Sequence, residues 1–153
     1  MRERTVRVML ALLAASGAVV GVWATFAPRS FYDSFPGGGR SWVAVDGPYN
    51  QHLVSDVGGL NLALALLAAV AAVRLLPVLV RTAAVASILY GLPHFLYHAT
   101  HLDPYDTSDK VANVVTLGLG VVLGLAVLLL SVARAPGTSG RIGQDRVPVG
   151  PNP

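Results

Sequence analysis

Four long, mostly apolar stretches, dominated by Ala, Val and Leu, occupy most of this chain, and each is long enough to cross a ~30 Å hydrocarbon layer as a helix of about 20 residues. They run over about 6–27, 52–73, 77–98 and 110–132. Backbone polar groups in lipid must be paired within their own segment or barrel, which makes stretches of this length helices. Only 12% of the residues are charged while 54% are hydrophobic, whereas a soluble domain carries about a quarter charged. The expected fold class is therefore all-α integral membrane, a four-transmembrane-helix bundle forming one domain over 1–134. Residues 135–153, rich in Gly, Pro and Arg and without periodicity, read as a disordered cytoplasmic tail.

Local signals set the ends of the spans. The first apolar region exceeds the 7–15 residues of a signal peptide and runs into Pro28, which favours a retained helix. Asn50, after the turn-forming Asp46-Gly47-Pro48, is placed to cap the second span. Pro77 suits the first turn of the third, and only Arg74-Leu75-Leu76 separates these two spans, so they form a tight antiparallel hairpin. Asp106 or Thr107 can cap the fourth, with Asp109 at the positive end of its dipole.

The charges orient the bundle. With the N-terminus cytoplasmic, that side holds Arg2, Arg4, Arg7, Arg74, Arg81, Arg134, Arg141 and Arg146, and the other side only Arg29, Arg40 and Lys110. A bias of eight to three places both termini in the cytoplasm of a bacterial inner membrane. The external loop from Pro28 to Tyr49 carries Phe31, Tyr32, Phe35, Trp42 and Tyr49 around Gly37-Gly38-Gly39, and its aromatics are expected to rest at the lipid headgroups.

This topology gathers the chemistry-bearing residues at the external end. His94, His98 and His101 share a helix face if the third span persists that far, with Tyr90 and Ser87 extending the stripe inward. His52 and Asp56 lie one turn apart on the second span, and Asp109, Asn113, Thr116 and Gly120 form a stripe on the fourth. Polar residues within a span face the bundle or a wet cavity, so His52, Asp56, Tyr90, His94, His98, Asp109 and Asn113 form the candidate ligand site. Within it, His52, His94, His98 and Asp56 are the candidate metal ligands, imidazole and carboxylate being good donors to a divalent metal. A haem held by His52 with His94 or His98 is the other cofactor expectation. The spacings Gly17–Gly21 and Gly120–Gly124 suggest close helix contacts.

Several classes are excluded or demoted. Zero Cys removes disulfides and thiolate sites. No Gly-x-Ser-x-Gly, His-Glu-x-x-His or phosphate-loop motif is present. The net charge of +3 arises from single basic residues flanking apolar runs, which speaks for topology and against nucleic acid.

The segments from Trp42 to His52, Asp56-Val-Gly-Gly59, and Gly91-Leu-Pro-His-Phe-Leu-Tyr-His98 resemble those of small four-span membrane proteins from high-GC bacteria. The layout over about 5–133 is also similar to DoxX-type four-helix membrane proteins, a likeness that implies the fold and carries over no catalytic residue. The function expected is non-enzymatic binding of a metal or small ligand at the external His/Asp cluster, or service as a subunit of a membrane complex. Its partners would be the lipid bilayer and a second copy or another membrane protein. A small membrane oxidoreductase using haem or a metal at the same histidines is the alternative; a purely structural network of interhelical hydrogen bonds is the second.

Overall fold

The structure, a computed structural model, describes residues 1–132; the tail expected from 135 lies outside the described residues. Five helices follow one another, with no strand among the described residues: α1 (Arg2–Phe26), α2 (Pro28–Ser34), α3 (Gln51–Arg74), α4 (Pro77–Thr100) and α5 (Thr107–Val132). Four of them, all but α2, are long and apolar enough to cross a membrane. Leu12, Val19, Leu66, Val73, Leu89 and Leu129 are among the many large apolar side chains on their outer faces. Such continuous apolar exposure is untenable in water and suits a multi-pass membrane protein.

The helix ends follow the local chemistry. Asn50 caps α3, its side chain accepting from the Leu53 amide at 3.1 Å, and Pro77 opens α4. Asp106 caps α5, accepting from the Asp109 amide at 2.9 Å. Leu75, in the left-handed region at φ 49°, turns α3 into α4. The short α2 departs from the expected external loop: Pro28 both ends α1 and supplies the first turn of a new helix, where a missing N–H costs nothing.

Packing divides the bundle into two helix pairs. α1 lies along α3 throughout, because Gly17, Gly21 and Gly58 let the backbones approach closely. α4 lies along α5, where Gly118 receives the Phe95 ring and Gly124 the Ile88 side chain. The second expected glycine pair is thus only half used, since nothing stands within 4 Å of a Cβ built on Gly120. All four long helices meet at the end bearing Arg2 and Arg74, around Leu10, Ala71, Ala83, Ala84 and Val127. There Arg2 donates to the Leu130 carbonyl, and Arg81 to that of Ser131 at 3.2 Å. Positive charge at the last carbonyls of α5 complements its dipole.

The opposite end is closed by α2 and the segment that follows it. Phe31 and Phe35, one turn apart, pack on Trp23, with Phe31–Trp23 centroids 5.8 Å apart. Positive φ at Gly37, Gly38 and Gly39, which only glycine adopts freely, folds the chain back until the Trp42 amide donates to the Phe35 carbonyl at 2.8 Å. Phe31, Trp42 and Tyr105 are 5%, 8% and 6% exposed. For Phe31 and Trp42 this corrects the headgroup-anchoring expectation, because the rings gain more by covering the open end of the bundle.

Candidate functional site

Where the two helix pairs diverge, beneath this cap, lies a cavity of about 500 Å³. All four long helices and the cap contribute to its walls, and most of the lining is apolar. A second cavity, between the arginine-bearing ends of the helices, measures only about 110 Å³. The larger is of ligand size, and its walls carry the polar residues.

Tyr90, His94 and His98 enter it from α4 as a stepped ring ladder. Tyr90 and His94 stack with centroids 5.6 Å apart, and His94 meets His98 edge-on at 4.7 Å. Pro93 within α4 does not end the helix. Tyr90 reaches across the bundle: its hydroxyl accepts from Asn61 Nδ2 at 3.1 Å, while the same amide donates to the Val57 carbonyl. From α5, Asn113, Thr116 and Gly120 line the cavity along the expected stripe. Thr116 returns its hydroxyl to the Ala112 carbonyl at 2.7 Å.

Three polar atoms in these walls are buried without a hydrogen-bond partner: Trp42 Nε1, His98 Nδ1 and Asn113 Oδ1. Asn113 is 1% exposed. An unpaired buried polar group costs about 1–3 kcal/mol, so three around one cavity are an unusual concentration.

The rest of the expected cluster is placed elsewhere. His52 and Asp56 pair with each other at 3.2 Å, their side chains 88% and 62% exposed, and neither lines the cavity, although Leu53 and Val54 do. The rotation of α3 that buries Val54 and Asn61 turns the His52–Asp56 stripe outward. His101 stands beyond the end of α4, its ring stacked on Tyr97 at 4.3 Å and its Nδ1 2.8 Å from the Tyr97 carbonyl oxygen. Asp109 pairs with Arg40 of the cap at 3.1 Å. The expected four-ligand set of His52, His94, His98 and Asp56 is therefore not assembled, and no group of three or more ligating side chains among the described residues could hold a metal ion.

Three site residues escaped the sequence reading. Asn61, the one amide in the middle of the second span, was a readable signal, since a buried amide among Ala and Leu needs a partner. Trp42 and Asp46 had no such signal, because only the fold of the cap carries them over the bundle.

The cap is tied down at several points. The Tyr105 hydroxyl donates to the Trp42 carbonyl at 3.0 Å, Tyr32 to that of Gly47 at 2.6 Å, and Tyr97 to Asp46 Oδ1 at 3.4 Å. Burial pushes the Tyr105 phenol up to about 12, with the Asp46 carboxylate adding to it. Arg29 pairs with Asp33 at 2.8 Å and lies over the Tyr49 ring, 4.9 Å from its centroid.

The chain matches no family model, no curated protein and no solved structure.

Proposed function

We propose that this protein is a small multi-pass membrane protein that binds a compact, largely apolar organic molecule between its two helix pairs. One observation carries the reading: a cavity of about 500 Å³ with mostly apolar walls, on which the polar side chains of Asn61, Tyr90, His94, His98 and Asn113 converge from three helices. Ligand sites have this character, an apolar enclosure with a few convergent polar groups that fix orientation. The binding residues are Asn61, Tyr90, His94, His98 and Asn113 with Trp42 of the cap; His52, Asp56 and Asp109 stand outside this set. In the bacterial inner membrane, with both termini cytoplasmic, the cap and cavity face the external side, in accord with the charge bias. Cysteines placed singly at Gly38 and Ser139 test that orientation: an impermeant maleimide labels the first in intact cells and the second only after lysis.

Gly120→Leu tests the site. The new side chain enters open space and occupies part of the cavity. Organic extracts of the parent, purified in mild detergent, contain a molecule in near-stoichiometric amount by mass spectrometry, and extracts of the folded variant lack it. Equal content in both refutes the reading.

A second reading, an oxidoreductase with haem on His94 or His98, draws on the two imidazoles in the cavity wall. A Soret band in the purified protein supports it; a colourless preparation removes it.

A further inference from the structure

The cavity has one formally charged wall residue. Asp46 lies at its outer rim, exposed to solvent, and no Lys or Arg lines it among the described residues. The two arginines nearest in sequence are occupied elsewhere, Arg40 with Asp109 and Arg29 with Asp33. The Asp46 carboxylate accepts one hydrogen bond among the described residues, the long 3.4 Å bond from Tyr97. Beside it the cap presents an aromatic wall of Phe31, Phe35 and Trp42, with Phe31–Phe35 centroids 4.7 Å apart and Phe35–Trp42 6.2 Å. Below the rim the lining between the helices is mostly apolar, interrupted by Asn61, Tyr90, His94, His98 and Asn113.

A carboxylate and aromatic rings at the mouth of an apolar enclosure match one kind of molecule. Ring faces attract a positive charge, and quaternary ammonium groups are commonly held by aromatic walls. The carboxylate adds an ion pair at the solvent edge and repels an anionic head. We infer that the ligand is an amphipathic organic cation, its ammonium head at Asp46 and the Phe31, Phe35 and Trp42 rings, its apolar body between the helix pairs. This inference rests on the cavity-binding reading and adds the charge of the ligand to it.

The test compares three ten-carbon chains that differ in their heads: decyltrimethylammonium, decanol and decanoate. The full chain is first washed in detergent until its organic extracts hold no bound molecule, and binding in phosphatidylcholine nanodiscs is then measured by equilibrium dialysis, with empty nanodiscs as blank. An ion pair at the rim and cation–π contact together predict about tenfold tighter binding of the cation than of the alcohol, with decanoate weakest. Asp46→Asn, at an exposed position, removes most of that preference and leaves decanol unchanged. Gly120→Leu weakens the cation and the alcohol alike. Equal binding of cation and alcohol, or tightest binding of decanoate, overturns the charge assignment while the cavity reading stands. Cation binding that survives Gly120→Leu undiminished places the cation on the surface and overturns it as well. No binding of any of the three above the blank sinks the cavity reading and this inference with it.

Discussion

Adjacent glycines in α3 offer a test of how the bundle is held. A Cβ added to Gly58 would stand 2.5 Å from Thr25 Oγ1, 2.6 Å from the Thr25 amide nitrogen and 2.9 Å from the Ala24 carbonyl carbon. The hydroxyl can rotate away, but the two backbone atoms cannot. Carbon contacts need about 3.5 Å, so α1 must retreat by most of an ångström along the longest interface of the molecule. Overpacking of this kind costs about 1–3 kcal/mol. Alanine returns up to about 1 kcal/mol of helix propensity, and less where the unfolded chain stays helical in detergent. Gly58→Ala is therefore expected to be about 1–2 kcal/mol less stable than the parent. Gly59→Ala makes the same chemical change one residue later, where nothing lies within 4 Å, and should equal or slightly exceed the parent. Reversible unfolding in mixed micelles titrated with dodecyl sulfate, followed by Trp fluorescence, measures both. Equal stability of the two variants would show that α1 and α3 do not make this close approach.

Other outcomes follow from the cap and the helix ends. Asp106 is held below the usual carboxylate range by its bond from the Asp109 amide and then by Ser108. Its contribution is full above pH ~4 and is lost as pH falls through the lower folded value; hydrogen exchange in the first turn of α5 should rise only there, and Asp106→Asn, which still caps, should abolish the pH dependence. The raised Tyr105 phenol works oppositely, because the folded state keeps its proton longer than the unfolded one. Stability present below pH ~10 is lost as pH rises toward about 12, read as unfolding alongside phenolate absorbance, and Tyr105→Phe should lessen that alkaline loss. Arg40→Ala should cost under about 1 kcal/mol, since Arg40 is 42% exposed in its pair with Asp109, and should raise exchange of the cap amides while the long helices stay protected.

How far the site was readable can be followed along α4 and α3. Tyr90, His94 and His98 share a face by helical period alone, and α4 runs on through Pro93 to carry all three. Asn113, Thr116 and Gly120 were equally visible on α5. His52 and Asp56 looked as convincing by spacing, yet a stripe on one helix says nothing of which way that stripe points once the helix is packed. Gly58 against Thr25 and Gly21 against Leu62 fix the rotation of α3, and that rotation carries the His52–Asp56 pair outward.

Length and hydropathy therefore determined by themselves that four long apolar helices form, because this depends on local hydrogen bonding and on the solvent each residue prefers. Which faces meet, that the bundle opens toward one end, and that an aromatic cap folds over the opening were decided only in three dimensions. They depend on contacts between residues far apart in sequence, such as Tyr105 with Trp42 and Arg40 with Asp109. Such pairings leave no period in the chain, since the distance at which a glycine admits its neighbour is a property of two helices together.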